Sequence, residues 1–239
     1  MDTIINVENL TKYYGPLKAV DDLSLSVKRG EVYGLLGANG AGKSTTIECV
    51  LGTRQYDSGK ITILGMDPIK DRKRLFEHVG VQFQESNYQE KITVAELCKV
   101  TQSLYKEASD YNELLEQFHL VDKKKSMISE LSGGQKQRLF IVLALIANPE
   151  VVFLDELTTG LDTRARRDVW SCLTSMKENG LTIFLTSHYM DEVEALCDNL
   201  TILNNGKTIF QGTVEEAIRQ SPCERFEDAY LWYTEKEVC

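Results

Sequence analysis

The sequence predicts an α/β protein with a mainly parallel sheet, an antiparallel β subdomain at the N-terminus and an inserted α-helical subdomain. Three observations predict it. Short apolar runs at 151–154 and 182–185 read as strands buried on both faces. Helix-patterned segments stand between such strands, the alternation that builds a parallel sheet. The first strands instead alternate apolar with polar residues, as a sheet with one wet face requires.

The elements follow in chain order. Ile5 and Val7, then Leu23, Leu25 and Val27, keep a period of two and mark the antiparallel strands. Residues 32–36 are mostly apolar and run into a glycine-rich turn. Residues 45–51 read as a helix that Gly52 stops. Asp57-Ser58-Gly59 signals a turn before a strand at 61–64. From residue 85 the chain turns polar and helical in pattern, and the predicted helical insertion spans residues 85–140. Residues 163–179 read as a helix closed by Gly180. Asn204-Asn205-Gly206 joins 201–203 to 208–210 as a hairpin. On this reading residues 1–222 form one domain, and 223–239 form a short acidic, aromatic tail.

With 239 residues the chain can bury a sizeable core. A formal net charge of −9 argues against nucleic acid as a partner, since no basic excess exists to neutralise phosphates. A local positive site for a small phosphate ligand is compatible with that charge. The six cysteines form no CxxC pair and read as reduced thiols. The N-terminus has no basic stretch followed by an apolar block. The longest apolar run, residues 139–147, is far short of the ~20 residues a bilayer demands. Any membrane role therefore calls for a separate chain.

Three motifs carry chemistry. GANGAGKST, from Gly37 through Ala38, Asn39, Gly40, Ala41, Gly42, Lys43 and Ser44 to Thr45, lies between a strand and a helix. Its glycines let backbone N–H groups turn towards phosphates, and the helix dipole adds positive potential. Lys43 reaches the β- and γ-phosphates, and the Ser44 hydroxyl binds Mg²⁺. VVFLDE delivers Asp155 and Glu156 at the end of a buried strand, where ligands sit in open α/β sheets. Asp155 suits Mg²⁺, and Glu156 suits the polarisation of an attacking water. LSGGQ places Ser132 and Gln135 at capping-box spacing around Gly133 and Gly134. A cap needs no glycine pair, which costs helix stability. The glycines leave bare N–H groups at a second helix N-terminus, a second anion site on one chain.

These motifs, in this order, resemble the ATP-binding cassette family, the ATPase subunits of ABC transporters. The resemblance covers nearly the whole chain and implies a P-loop NTPase core. It implies two cassettes packed head to tail, with LSGGQ of one closing on the ATP held by the other. It further implies that Tyr14 in KYYG stacks on adenine, with Tyr13 as the alternative. Gln84 in VGVQFQES resembles the glutamine that touches Mg²⁺ and communicates with the membrane subunit; Gln82 faces the same side at strand alternation. Asp162 in TTGLD resembles the dimer-interface aspartate, and His188 in LTSHYMDE the histidine that contacts the γ-phosphate. Leu157 and Ala38 stand where the family often has proline, and neither supplies a phosphate ligand. LDELTTGLD and the ending FEDAYLWYTEKE are similar to the ABC-2 exporter ATPases. The resemblance thus implies ATP and Mg²⁺ as ligands, a second ATPase subunit and integral membrane permease subunits as partners, and a place on the inner face of the cell membrane. The rival reading is a soluble ABC ATPase that acts in complex assembly.

Overall fold

The computed structural model describes residues 2–83, 91–158 and 160–235. The chain divides into two compact units, Met1–Leu75 with Thr182–Cys239, and Phe76–Leu181. In chain order the first unit contributes β1 (Thr3–Tyr14), β2 (Leu17–Lys28), β3 (Val32–Gly37), α1 (Lys43–Val50), β4 (Ser58–Ile63) and the single turn α2 (Arg72–Leu75). The second contributes β5 (Val79–Gln82), α3 (Val94–Gln102), α4 (Tyr111–Gln117), α5 (Gly133–Leu145), β6 (Val151–Asp155) and α6 (Thr163–Glu178). The chain then returns to the first unit with β7 (Thr182–Ser187), α7 (Met190–Leu196), β8 (Asn199–Asn204), β9 (Lys207–Gly212), α8 (Val214–Gln220) and α9 (Phe226–Glu235).

The first unit carries the expected antiparallel sheet, in the order β2-β1-β4. Its inward set is the one that the period of two picks out: Ile5 pairs with both Val27 and Ile63, and Val7 with Leu25 and Ile61. The ladder shifts between Val7 and Leu10, where Asn9 and Asp22 both take left-handed backbone and Asn9 Nδ2 donates to Asp22 Oδ1 at 2.9 Å. Asn and Asp tolerate that conformation better than other side chains.

Within the same unit β7, β3 and β8 run parallel, with Val32 opposite Ile183 and Tyr33 opposite Asn199, and β9 returns antiparallel to β8. Every residue of β3 and of β7 is buried, which explains the mostly apolar run at 32–36 and the apolar stretch at 183–185. The predicted hairpin is present, with its turn narrowed to Asn205 and Gly206 because Asn204 pairs with Lys207; both turn residues lie at positive φ, as the backbone twist requires.

The last residues pack into this core. Phe226 is fully buried with Leu36, Leu200, Ile202 and Phe210. Tyr233 lies 5.1 Å from the Phe210 ring, and Asn204 Nδ2 donates to the Thr234 carbonyl at 2.8 Å. Apolar residues recurring along FEDAYLWYTE give α9 a buried face, so residues 226–235 complete the first unit.

In the second unit β5 and β6 pair in parallel, Val79 with Val151 and Gln82 with Leu154. A Cβ on Gly80 would lie 2.1 Å from the Ala144 carbonyl oxygen, so α5 crosses β5 in backbone contact. The helices start on side-chain caps: Thr93 with Glu96 for α3, Asp110 for α4, Ser132 with Gln135 for α5 and Asp162 for α6. Each such cap contributes on the order of 1 kcal/mol.

Cys49, Cys98, Cys172 and Cys197 are free thiols, whereas Cys223 is disulfide-bonded, against the expectation of reduced thiols throughout. Burial pushes the Cys49 thiol up to about 11 and the Cys98 thiol up to about 12, so both behave as small apolar groups. Among the described residues no helix is long and apolar enough to cross a membrane.

The burial of α9 makes a direct prediction. Phe226→Ala should cost about 3–5 kcal/mol of stability through the cavity it leaves, read as a lower midpoint in urea. A midpoint equal to wild type would show that α9 is a detachable tail.

Candidate functional site

The first unit builds a glycine-rich loop at the C-terminal ends of β3 and β7. β3 stops at Gly37, and Ala38, Asn39 and Gly40 form an exposed turn before α1. The turn is clamped from behind. Gly206 N–H donates to the Ala41 carbonyl at 2.9 Å, and a Cβ on Gly42 would lie 2.5 Å from the Ala19 carbonyl oxygen. Gly42 also holds φ at 109°, which a side chain would strain. Ala41 is buried, and the Thr46 hydroxyl donates to the Gly42 carbonyl at 2.8 Å, fixing the first turn of α1. Lys43 is buried and folds over the loop, its Nζ donating to the carbonyls of Gly37 at 2.7 Å and Ala38 at 3.3 Å. Ser44 is exposed beside it, and Thr45 is half-buried. The first backbone N–H groups of α1 have no intrahelical acceptor and carry the positive end of its dipole. This is an anion cradle with a lysine across its mouth.

Leu36 lies opposite Ser187 in the β3–β7 ladder, so the residue after Ser187 arrives level with the start of that loop. That residue is His188, exposed, with its ring 4.1 Å from the Tyr189 ring. Tyr14 ends β1 and is 38% exposed, with Lys12 Nζ and the Arg54 guanidinium each 5.4 Å from its ring centre. Tyr13 keeps different company, with Lys18 Nζ 5.6 Å from its ring. Adjacent strand residues face opposite ways, so the two tyrosines are not interchangeable. The Lys18 ammonium is held above its usual range by its hydrogen bond to Asp21, and the Asp21 carboxyl is held below its own by the same bond.

The second unit assembles the other candidates. All of β6 is buried, and it ends on Asp155, itself 6% exposed. Glu156 follows in left-handed backbone, φ 51°, at a cost on the order of 1 kcal/mol for a residue with a side chain. That turn redirects the chain so that Glu156 is half-exposed one residue after a buried aspartate. Gln82 pairs with Leu154 in the ladder, is 2% exposed, and its Nε2 donates to the Phe83 carbonyl at 2.8 Å. Gln84 lies outside the described residues.

Ser132 and Gln135 form the capping box at the start of α5. Gln135 N–H donates to Ser132 Oγ at 3.3 Å, and Ser132 N–H to Gln135 Oε1 at 3.0 Å. The cap is complete without Gly133 and Gly134. A Cβ on Gly133 would meet nothing within 4 Å, and one on Gly134 would meet Leu161 Cδ2 at 3.1 Å. Gln137 Nε2 donates to the Leu157 carbonyl at 2.8 Å, tying α5 to the segment just after Glu156. Asp162 accepts from Ala165 N–H at 2.9 Å and caps α6. The LSGGQ turn, the end of β6 and the start of α6 are therefore one packed cluster.

Sequence reasoning missed Gln137, Thr46, Lys12 and Arg54. Thr46 hides in a run of three hydroxyl residues, and only the direction of each side chain separates them. Gln137 lies in a polar stretch with no periodic signal. Lys12 and Arg54 are more than forty residues apart, and their meeting over Tyr14 is a tertiary contact.

A sequence profile of the ABC transporter family matches residues 20–159. The chain is 41% identical over 222 residues to Nod factor export ATP-binding protein I of Rhizobium etli, covering 90% of this chain and 70% of that protein. It is 36% identical over 220 residues to a daunorubicin resistance ATP-binding protein of Streptomyces coeruleorubidus, with the same two coverages. Among solved structures, the ATP-binding subunit of an ABC transporter superposes with a TM-score of 0.88 at 28% identity, over 97% of this chain and 99% of that one. An ABC transporter cassette in its ADP conformation superposes with a TM-score of 0.79, also at 28% identity and the same coverages. With the phosphate-type loop, the β6 carboxylates and the LSGGQ cap each built as described, this chain belongs to the ABC transporter family, as its ATPase cassette.

Proposed function

We propose that this chain is the ATP-hydrolysing motor of an ABC exporter, working as one of two head-to-tail cassettes on separate membrane permease subunits. The observation that carries the reading is a chain with two helix starts open to anions, at Lys43 and at Gly133. One nucleotide does not need both from one molecule. The relatives named for export of Nod factors and for daunorubicin resistance supply the direction of transport. The likeness to ABC exporter ATP-binding proteins supports a place on the inner face of the cell membrane, held through membrane partners.

In this reading the loop from Gly37 to Thr45 holds the nucleotide phosphates through backbone N–H groups, and Lys43 turns from its loop carbonyls to the β- and γ-phosphates. Tyr14 stacks on the adenine. His188 contacts the γ-phosphate from the end of β7. Glu156 accepts a proton from, or polarises, the water that attacks the γ-phosphorus. Ser132, Gly133, Gly134 and Gln135 face the partner's ATP, and Asp162 lies at the dimer interface. Gln84 is the residue through which the permease subunit senses the nucleotide.

The donor set also fits Mg²⁺. No group of three or more His, Cys, Asp or Glu side chains that could hold a metal occurs among the described residues. Mg²⁺ takes one or two protein oxygens and fills its octahedron with phosphate and water. Ser44 supplies a hydroxyl, Asp155 a carboxylate acting through water, and Gln84 an amide oxygen. When bound, the ion would supply positive charge against the phosphate oxygens.

Two predictions test this function. Glu156→Gln should retain ATP binding and lose turnover by about 10²-fold or more, measured as phosphate release; normal turnover would remove Glu156 as the base. Gly133→Ala meets open space, so its melting temperature should not fall. It should nevertheless abolish ATPase activity while ATP still binds each isolated chain. A Gly133→Ala protein with wild-type ATPase activity would overturn the shared site.

A further inference from the structure

We propose that Arg54 is a positioning residue for the nucleotide base, holding the Tyr14 ring in its stacking orientation from the far end of the phosphate-binding helix. This inference rests on the reading of Tyr14 as the adenine platform.

Tyr14 alone is poorly fixed. It is the last residue of β1, more than a third exposed, next to the Gly15 turn. Its ring has two cations close by, Lys12 Nζ and the Arg54 guanidinium, each 5.4 Å from the centroid and within the ~6 Å range of a cation–π contact. Both cations are themselves anchored. Lys12 pairs with Asp57 at 3.5 Å, and Asp57 Oδ2 also accepts from Tyr13 N–H at 2.7 Å. Arg54 Nε pairs closely with Glu48. The Arg54 and Thr53 backbone N–H groups donate to the Glu48 carbonyl at 3.1 and 3.0 Å, closing the end of α1.

Arg54 does more than Lys12 can. A guanidinium is planar and rigid, and it spreads over a ring face where an ammonium makes a point contact. A cation on the ring also draws on its π density, which favours an electron-rich purine as the next stacking partner. The anchor is α1, whose other end is the phosphate loop. Glu48 and Lys43 are five residues apart on one eight-residue helix. Arg54 thereby ties the orientation of the base platform to the element that fixes the phosphates.

The experiment is a double-mutant cycle read by equilibrium binding. Wild type, Arg54→Ala, Tyr14→Ala and the double variant are titrated with Mg-ATP and, separately, with inorganic tripolyphosphate, which has no base. Arg54→Ala should weaken ATP binding about two- to fivefold, the scale of one exposed cation–π contact. It should leave tripolyphosphate binding unchanged. In the Tyr14→Ala background it should cost ATP nothing further, and Arg54→Lys should recover part of the loss. An equal loss for tripolyphosphate, or an equal loss in both backgrounds, would overturn the inference, because Arg54 would then act on the phosphates or the fold. If Tyr14→Ala weakens ATP and Arg54→Ala does not, the brace fails and the platform stands. If Tyr14→Ala leaves ATP binding at the wild-type value, platform and brace fall together.

Discussion

A helix that begins at Lys43 leaves its first backbone N–H groups without intrahelical acceptors. In this chain everything around those groups is arranged to keep them open yet rigid. β3 is buried along its whole length, so the loop starts from a fixed point. Gly42 accepts a left-handed backbone conformation, and a Cβ added there would lie 2.5 Å from the Ala19 carbonyl oxygen. The β8–β9 hairpin holds the loop through Gly206, and Lys43 lies over its carbonyls. The arrangement concentrates positive potential in one cradle on a chain whose formal net charge is −9. An acidic protein can bind a polyanion this way because oriented backbone dipoles act locally and need no basic surface.

The second unit solves a related problem at α5. Capping usually consumes the donors of a helix start, and here Ser132 and Gln135 cap each other's backbone while the Gly133 face stays bare. The cap is thus made by Ser132 and Gln135, and the glycines of the same pentapeptide take no part in it. Gln137 then connects that helix to the Leu157 carbonyl, one residue beyond Glu156 in its left-handed turn. That bond ties α5 to the backbone next to the carboxylate.

Much of this was legible in the linear sequence, for identifiable reasons. β3, β6 and β7 are buried on both faces, so they read as mainly apolar stretches at 32–36, 151–154 and 183–185. β1 and β2 are wet on one face, so they alternate. Asn205-Gly206 reads as a hairpin because few residues accept positive φ twice in succession. Other features were not legible. α1 starts at Lys43, ahead of the helix expected at 45–51, because the helix is nucleated by the loop and has no polar cap of its own. The acidic, aromatic ending reads as a tail, but Phe226 belongs to the core because β8 and β9 offer it Ile202 and Phe210. Composition carries no record of which neighbour will cover an aromatic ring.

The sequence by itself determined the local motifs: which nine residues form the glycine-rich loop between β3 and α1, which strand leads into two carboxylates, and which helix start carries two glycines. Those are local facts, since each depends on spacing along a few residues and on the backbone freedom of glycine. The tertiary structure alone decided direction and company. Tyr14 and Tyr13 are adjacent in KYYG, and only the fold gives one of them Arg54 and Lys12 and the other Lys18. Asp57 reaches Lys12 because β4 pairs with β1, and Arg54 reaches Tyr14 from the turn that follows α1. The reason is range. Motif geometry is set by covalent neighbours, whereas a side chain's partner is set by which distant segment the packing brings alongside.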